Sequence, residues 1–348
     1  MNKTVNLLPG PVAISESVKK AFAKETLSHR SSNFMQIFNE TKQMLLKISN
    51  AKYAEMTMGS GTTANDIVGG QISLLNKKGL ILTNGEFGER LYQHAKSYKL
   101  NYDFIKKEWG KEYTLDEIEN KINENKNYGW IWMVHHETST GMANDISGIN
   151  KICQKYNIKL CIDAISSIGT IPVDLSQIYL ASAVSSKGLS SFAGLSIVFY
   201  NHDLPQPNNQ TIQYLDLSLY RAKNGVPFSV NSNLVLALHQ SLKDIEINSR
   251  LKNIQNVSEK IRTDLHKIGL NILVDNEYKS PSTITIVMPK NKSSQEIGDI
   301  LKTKGFLLSY ESSYLLKNNW IQICLMSDVD YNDIKPLFDI FNEYINKK

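Results

Sequence analysis

Lys187 and Asp163 are the two residues whose types and placement suggest covalent chemistry. An apolar strand from Leu160 ends in Asp163, and a second one ends in Ser185-Ser186-Lys187-Gly188, so a carboxylate and an amine stand at the tips of neighbouring strands. Open α/β sheets bind their ligands at the carboxyl ends of parallel strands. There a lysine amine can form a Schiff base with an aldehyde while a carboxylate keeps a ring nitrogen protonated, which is pyridoxal 5'-phosphate chemistry in outline. A capping Asp and a solvated Lys would read the same way, so the pair needs support from the rest of the chain.

Met58 to Asp66, MGSGTTAND, offers a second piece: two glycines and three hydroxyl residues open a helix carrying Ile67, Val68, Ile72 and Leu75. Backbone N–H groups at a helix start, with the dipole behind them, make an anion seat suited to phosphate. A P-loop needs Gly-Lys-Ser/Thr, and no Lys is present; Gly-x-Ser-x-Gly is missing around Ser60, which removes a nucleophile elbow. Gly59-x-Gly61-x-x-Ala64 fits the loose dinucleotide pattern, but Tyr53 to Met58 reads as a poor buried strand behind two helices, so NAD ranks below. A glycine turn capping a helix is the plain alternative.

Three further stretches carry polar groups. Asn84-Gly85 is a turn, and Phe87 is expected at a strand end, where an aromatic either covers a planar ring or packs into the core. Trp130 to His135 is a buried strand that delivers His136-Glu137-Thr138-Ser139-Thr140-Gly141. Adjacent strand residues face opposite ways and His-Glu-x-x-His is absent, so hydroxyl donors to a cofactor fit better than a metal site. His29-Arg30 lies in a polar loop, facing either an anion or solvent.

The elements that position these residues alternate strand and helix up to the strand Leu195 to Tyr200, the pattern of a parallel sheet. Residues 201 to 213 are the most loop-like stretch. A long helix from Arg250 to Ile268, apolar at Leu251, Ile254, Val257, Ile261 and Leu265, ends at Gly269. Beyond it, strands Thr283 to Met288, Phe306 to Ser309 and Trp320 to Leu325 with helices Gln295 to Lys304 and Tyr331 to Ile345 describe a small α/β domain with an antiparallel sheet. The 348 residues suit one domain of ~250 residues and a smaller one. The expected division is an arm at 1–15, a large domain at 16–248 and a small one at 249–348.

Composition narrows the function classes. The net charge of +5 comes from Lys scattered over helix faces, such as Lys252, Lys260 and Lys267, which describes a solvated surface and not a nucleic-acid groove. Cys153, Cys161 and Cys324 form no C-x-x-C and read as buried thiols in a reducing compartment. The amino-terminal stretch lacks a signal-peptide core, and no run reaches the roughly 18 apolar residues of a membrane span, so a cytoplasmic protein is expected.

Taken together, Pro9-Gly10-Pro11, Gly59-Ser60-Gly61-Thr62, Asn84-Gly85-x-Phe87-Gly88-x-Arg90, Glu137-Thr138-Ser139-Thr140-Gly141, Asp163-x-x-Ser166-Ser167-x-Gly169 and Ser186-Lys187-Gly188 resemble the class V pyridoxal-phosphate aminotransferases over nearly the whole chain. The most similar branch holds the 2-aminoethylphosphonate-pyruvate and alanine- or serine-glyoxylate aminotransferases. Leu217 to Tyr220, Gly225 to Phe228 and Lys279 to Thr283 look like the former, and His29-Arg30 like the glyoxylate enzymes.

The resemblance implies an α/β transferase of fold type I: a large domain with a mostly parallel seven-stranded sheet, a small C-terminal α/β domain, and a homodimer with active sites between subunits. It implies that Lys187 carries the cofactor and moves the proton, Asp163 pairs with the ring nitrogen, and Phe87 stacks on the ring. Thr138 would bond the ring hydroxyl, Ser60, Gly61, Thr62 and Ser186 would seat the phosphate, and Ser232 would reach the partner subunit's phosphate. The relatives' substrate-binding Arg-Ile-Gly is replaced by Gln322-Ile323-Cys324. A neutral amide forfeits a charge-assisted pair worth roughly 1.5–3 kcal/mol. Either Arg30 or Arg221 then takes the substrate anion, or the substrate is bulkier or less charged than in the relatives. The implied activity is transamination between a small amine or amino acid, 2-aminoethylphosphonate-like, and a 2-oxo acid such as pyruvate or glyoxylate. A carbon–sulfur or carbon–nitrogen lyase, and a cofactor-binding protein without turnover, are the alternatives. No metal, nucleic acid or membrane partner is expected.

Overall fold

The structure is a computed structural model describing residues 4–207 and 210–347. Residues 1–3 of the expected arm and 208–209 of the expected loop lie outside the described residues. Strand β1 (Val5–Leu7) leads to helix α1 (Glu16–Phe22), whose cap Ser15 accepts from the Val18 N–H. Helix α2 (Ser32–Ser49) buries Phe34, Phe38, Thr41 and Leu45 at spacings of three and four, and stops at Asn50 in the left-handed region.

Strand and helix then alternate: β2 (Tyr53–Gly59), α3 (Gly61–Ser73), β3 (Lys78–Thr83), α4 (Glu86–Ser97), β4 (Tyr102–Lys106), α5 (Leu115–Glu124) and β5 (Tyr128–Val134). A small ribbon of β6 (His136–Glu137) and β7 (Met142–Ala143) precedes α6 (Ile146–Lys155), β8 (Lys159–Asp163), β9 (Leu180–Val184) and β10 (Gly194–Tyr200). Seven strands form one sheet in the order β2-β10-β9-β8-β5-β3-β4. All neighbours are parallel except β10, which runs antiparallel to β2 and β9.

The sheet is covered on both faces, and side-chain alternation divides the strands between two cores. Leu80, Leu82, Ile131 and Met133 face one core; Ile81, Trp130, Trp132 and Cys161 face the other. Two local expectations change. Tyr53 to Met58 belongs to a full strand, because Glu55, the letter that spoils its apolar run, is buried against Lys42 Nζ at 2.7 Å and Tyr200 Oη at 3.2 Å. Phe87 sits in the first turn of α4 and not at a strand end.

After β10 come helices α7 (Leu217–Ala222), α8 (Ser232–Asp244) and α9 (Ile247–Ile268), the last stopped by Gly269 at φ 80°. The remainder is β11 (Asn271–Ile272), β12 (Thr283–Val287), α10 (Ser294–Thr303), β13 (Phe306–Leu308), α11 (Ser313–Asn318), β14 (Trp320–Cys324), α12 (Tyr331–Ile334) and α13 (Pro336–Asn346). Strands β11, β12 and β14 form an antiparallel sheet. A third core unites Ile254, Ile261, Ile286, Ile323 and Phe341 with Val5 and Leu7 of β1, which pairs in parallel with β13. No helix among the described residues is long and apolar enough to cross a membrane.

Candidate active site

Parallel strands β8 and β9 are adjacent, so their carboxyl ends open at the same edge of the sheet. Asp163 ends β8, and Lys187 follows β9 by three residues. Both line one cavity of ≈ 200 Å³. Ser60, Gly61, Thr62 and Asn65 from the start of α3, Phe87, Arg90 and His94 from α4, His136 from the ribbon, and Ser166 and Ser186 complete its polar and aromatic walls.

Lys187 Nζ donates to Ser166 Oγ at 2.8 Å and stands 5.3 Å from the Phe87 ring centroid. Burial lowers its pKa; the Asp163 charge works the other way. Asp163 accepts from Asn65 Nδ2 at 2.8 Å and from the Ile165 N–H at 2.9 Å, while Asn65 Oδ1 accepts from Ser182 Oγ at 2.6 Å. Burial nevertheless raises the Asp163 pKa, opposed first by the Asn65 bond. A buried acid in that condition would gain from a cation brought to it, which is what a protonated ring nitrogen offers.

The start of α3 offers a seat for an anion. The first turn of α3 opens on the cavity, with Ser60 N–H bonded to Thr63 Oγ1 at 3.2 Å and the next residues' N–H groups at the positive end of a helix of 13 residues. Gly61 allows Ile165 close: a Cβ there would lie 2.7 Å from Ile165 Cδ1.

Glu137 fixes the opposite wall. Its buried carboxylate accepts from the N–H groups of Gly88 at 2.8 Å, Phe87 at 3.3 Å and Ser139 at 3.2 Å, and from Ser139 Oγ at 2.5 Å. It therefore caps α4 in trans and sets the direction of Phe87. His136 Nδ1 bonds the Ser166 carbonyl at 2.9 Å, and burial pushes its pKa down to about 3, so the ring is neutral. Its Nε2 and the hydroxyl of Thr138 are buried without a partner among the described residues. The orphaned His136 nitrogen, the helix seat and the buried Asp163, all lining the cavity, fit a phosphorylated, nitrogen-containing ring.

Not every residue singled out from the sequence reaches the cavity. Thr138 is buried outside its lining, in the turn of the ribbon. Ser232 opens α8, and its hydroxyl accepts from the Leu27 N–H at 2.9 Å. Arg30 is exposed elsewhere, and Arg221 lies over the Tyr53 ring at 4.3 Å in another groove. Gln322 is fully buried, its Nε2 donating to Thr138 O at 2.7 Å, Ser139 O at 3.1 Å and Thr285 Oγ1 at 2.8 Å. It braces the ribbon to the C-terminal sheet and faces no solvent.

Conversely, Asn65 and His94 were not singled out, and Arg90 entered only as a motif letter without a role, although a signal was available. Arg90 and His94 follow Phe87 by three and seven positions, and Asn65 follows Thr62 by three, so each shares a helix face with a flagged residue. The amino-terminal arm also touches the site: a Cβ on Gly10 would lie 3.7 Å from Ser186 O and 3.9 Å from Lys187 Cγ, and Val12 packs with Cys324 and Met326. Burial pushes the Cys324 thiol up to about 12, which keeps it from acting as a thiolate nucleophile.

Comparison with known proteins adds to this geometry. A family model described as Aminotransferase class-V matches residues 13–310. The soluble hydrogenase 42 kDa subunit of Anabaena cylindrica is 29% identical over 326 residues, covering 87% of this chain and 83% of its own. A 2-aminoethylphosphonate–pyruvate transaminase of Bacillus cereus is 27% identical over 356 residues, 97% of each chain. The crystal structure of an alanine–glyoxylate aminotransferase from Nostoc sp. shares the fold with a TM-score of 0.87 at 22% identity, covering 99% of this chain and 96% of that one.

Proposed function

This chain belongs to the class V aminotransferases, pyridoxal-phosphate enzymes, and from that premise we propose that it passes an amino group from a small amine or amino acid, of the 2-aminoethylphosphonate kind, to a 2-oxo acid such as pyruvate or glyoxylate. The observation that carries the reading is the meeting of Lys187 and Asp163 in one cavity at the tips of adjacent parallel strands.

When bound, pyridoxal 5'-phosphate supplies an aldehyde carbon for the amine and a protonated ring that draws off the electron pair left at the substrate Cα. Lys187 would hold it covalently through Nζ, an amine that burial favours as the free base and Ser166 Oγ orients from 2.8 Å. Released by the incoming amine, the same Nζ would take the proton from the substrate Cα and deliver it to the former aldehyde carbon. Asp163, held by Asn65 and the Ile165 N–H, would keep the proton on the ring nitrogen. Phe87 would cover the ring face and exclude water. Ser60, Gly61 and Thr62 at the helix start, with Ser186, would receive the phosphate. The unpartnered Thr138 hydroxyl, just outside the lining, would reach the ring hydroxyl only if the ribbon turn moves inward as the cofactor binds.

Three wider features belong to the same proposal. Two chains would pair, and exposed Ile212 and Tyr214 beside Tyr220 and Phe228 support such a contact. The separate cores support a large body at 16–248 and a small one at 249–348. Three buried, unpaired cysteines support a reducing, cytoplasmic setting.

The test is spectroscopic. An amino donor added to the reconstituted enzyme is expected to abolish the absorbance of the lysine-bound cofactor and yield pyridoxamine 5'-phosphate; pyruvate or glyoxylate should restore it. Lys187→Ala should lower turnover by at least roughly 1000-fold. Release of ammonia or sulfide without the pyridoxamine form would point to a lyase instead.

A further inference from the structure

With Gln322 enclosed, Arg30 exposed elsewhere and Arg221 over Tyr53, none of the three groups offered from the sequence meets an anion in the cavity of its own chain. Arg90 can. It lines the cavity from α4, one helical turn beyond Phe87, and its guanidinium carbon stands 4.9 Å from the centroid of the Phe87 ring that also faces Lys187. Its Nε donates to Glu86 Oε1 at 3.0 Å, an i,i+4 pair that fixes the stem. Neither Nη has a protein acceptor among the hydrogen bonds of the described residues, so the forked edge of the guanidinium remains open.

We propose that Arg90 is the specificity-determining residue for the 2-oxo acid, receiving its carboxylate bidentately through Nη1 and Nη2. The inference rests on the transaminase reading above and names the substrate class within it: a small 2-oxo monocarboxylate. A guanidinium stacked on an aromatic face keeps its fork in a fixed plane, and that fork matches a carboxylate. Among the described residues it is the only guanidinium lining the cavity; Lys187 is needed by the chemistry as a free base, and the Nδ1 of His94 is engaged by Asp66 Oδ1 at 2.7 Å. A second carboxylate on the substrate therefore finds no second guanidinium within this chain's cavity. Pyruvate and glyoxylate fit; dicarboxylic 2-oxo acids leave one charge desolvated and unpaired.

A structural alternative is that Arg90 only props Phe87, and the test separates the two. Propionate binding to the cofactor-loaded enzyme is measured by calorimetry, beside kcat/KM for pyruvate and for propanal, an acceptor of similar size without a carboxylate. Arg90→Gln is expected to weaken propionate binding, and to lower the pyruvate-over-propanal preference, by roughly 10- to 100-fold; Arg90→Lys should restore part of both. Equal losses for pyruvate and propanal, or unchanged propionate binding, would overturn the proposal, as would a wild-type enzyme that binds no propionate. A wild type that binds propionate through Arg90 yet forms no pyridoxamine with any donor would sink the transaminase reading and leave the carboxylate site standing.

Discussion

An amine attacks an aldehyde only as the free base, so the titration of Lys187 governs cofactor capture. Burial lowers its pKa from the ordinary 10.5, and above that lowered value the amine is neutral. The rising limb of capture with pH should thus lie on the acid side of a free lysine's. The Asp163 carboxylate favours the ammonium form and holds the limb back. Asp163→Asn is expected to move it further to low pH, read from absorbance as the apoenzyme takes up pyridoxal 5'-phosphate; a shift to high pH would contradict the coupling. At this scale the sequence revealed types but not directions. Asp163 stood out because it ends a strand and Lys187 because it closely follows one, whereas Gln322 read as a failed substrate ligand. Its true acceptors, the carbonyls of Thr138 and Ser139, lie 184 and 183 residues away.

Between residues and the whole stand the loops after β8 and β9, which bring the acid and the amine together by touching backbone to backbone. Gly169, at φ 82°, has the Gly188 carbonyl 2.5 Å from where a Cβ would stand, and a Cβ on Gly188 would overlap the Ile168 carbonyl oxygen. Gly188→Ala is expected to cost about 1–3 kcal/mol by forcing these loops apart, and to weaken cofactor affinity as Lys187 moves. Gly269→Ala, at φ 80° with open space around it, should cost about 1 kcal/mol through backbone strain and leave cofactor affinity alone. Denaturant unfolding and cofactor titration of both variants check the contrast; equal cofactor affinity in the two would refute the role given to Gly188. The alternation of β and α was legible because apolar runs such as WIWMV feed two cores at once. Strand β2 was misread because Glu55 owes its burial to Lys42 and Tyr200, 13 and 145 positions distant, which no local pattern encodes.

The molecule as a whole carries an acid weakness at its centre. Burial pushes the pKa of His135 down to about 4 and that of His136 to about 3, from 6.5. Both are neutral in the native state, so their contribution is complete above 6.5. It is lost as pH falls from 6.5 towards those lower values, because the unfolded chain takes up protons that the folded one refuses. His135 alone can account for up to about 3 kcal/mol of this loss, and His135→Asn is expected to flatten the fall in urea midpoint between pH of about 6 and 4. An unaltered slope would mean that other groups control acid unfolding. The path of the first residues bears on anyone handling the protein. One extended segment is paired with β13 at Val5–Leu7 and, a few residues on, rests against the wall that holds the reactive amine. A purification tag fused ahead of it would tug on chemistry some way downstream, whereas Asn346 and Lys347, exposed at the end of α13, give a handle with no such mechanical line to the amine.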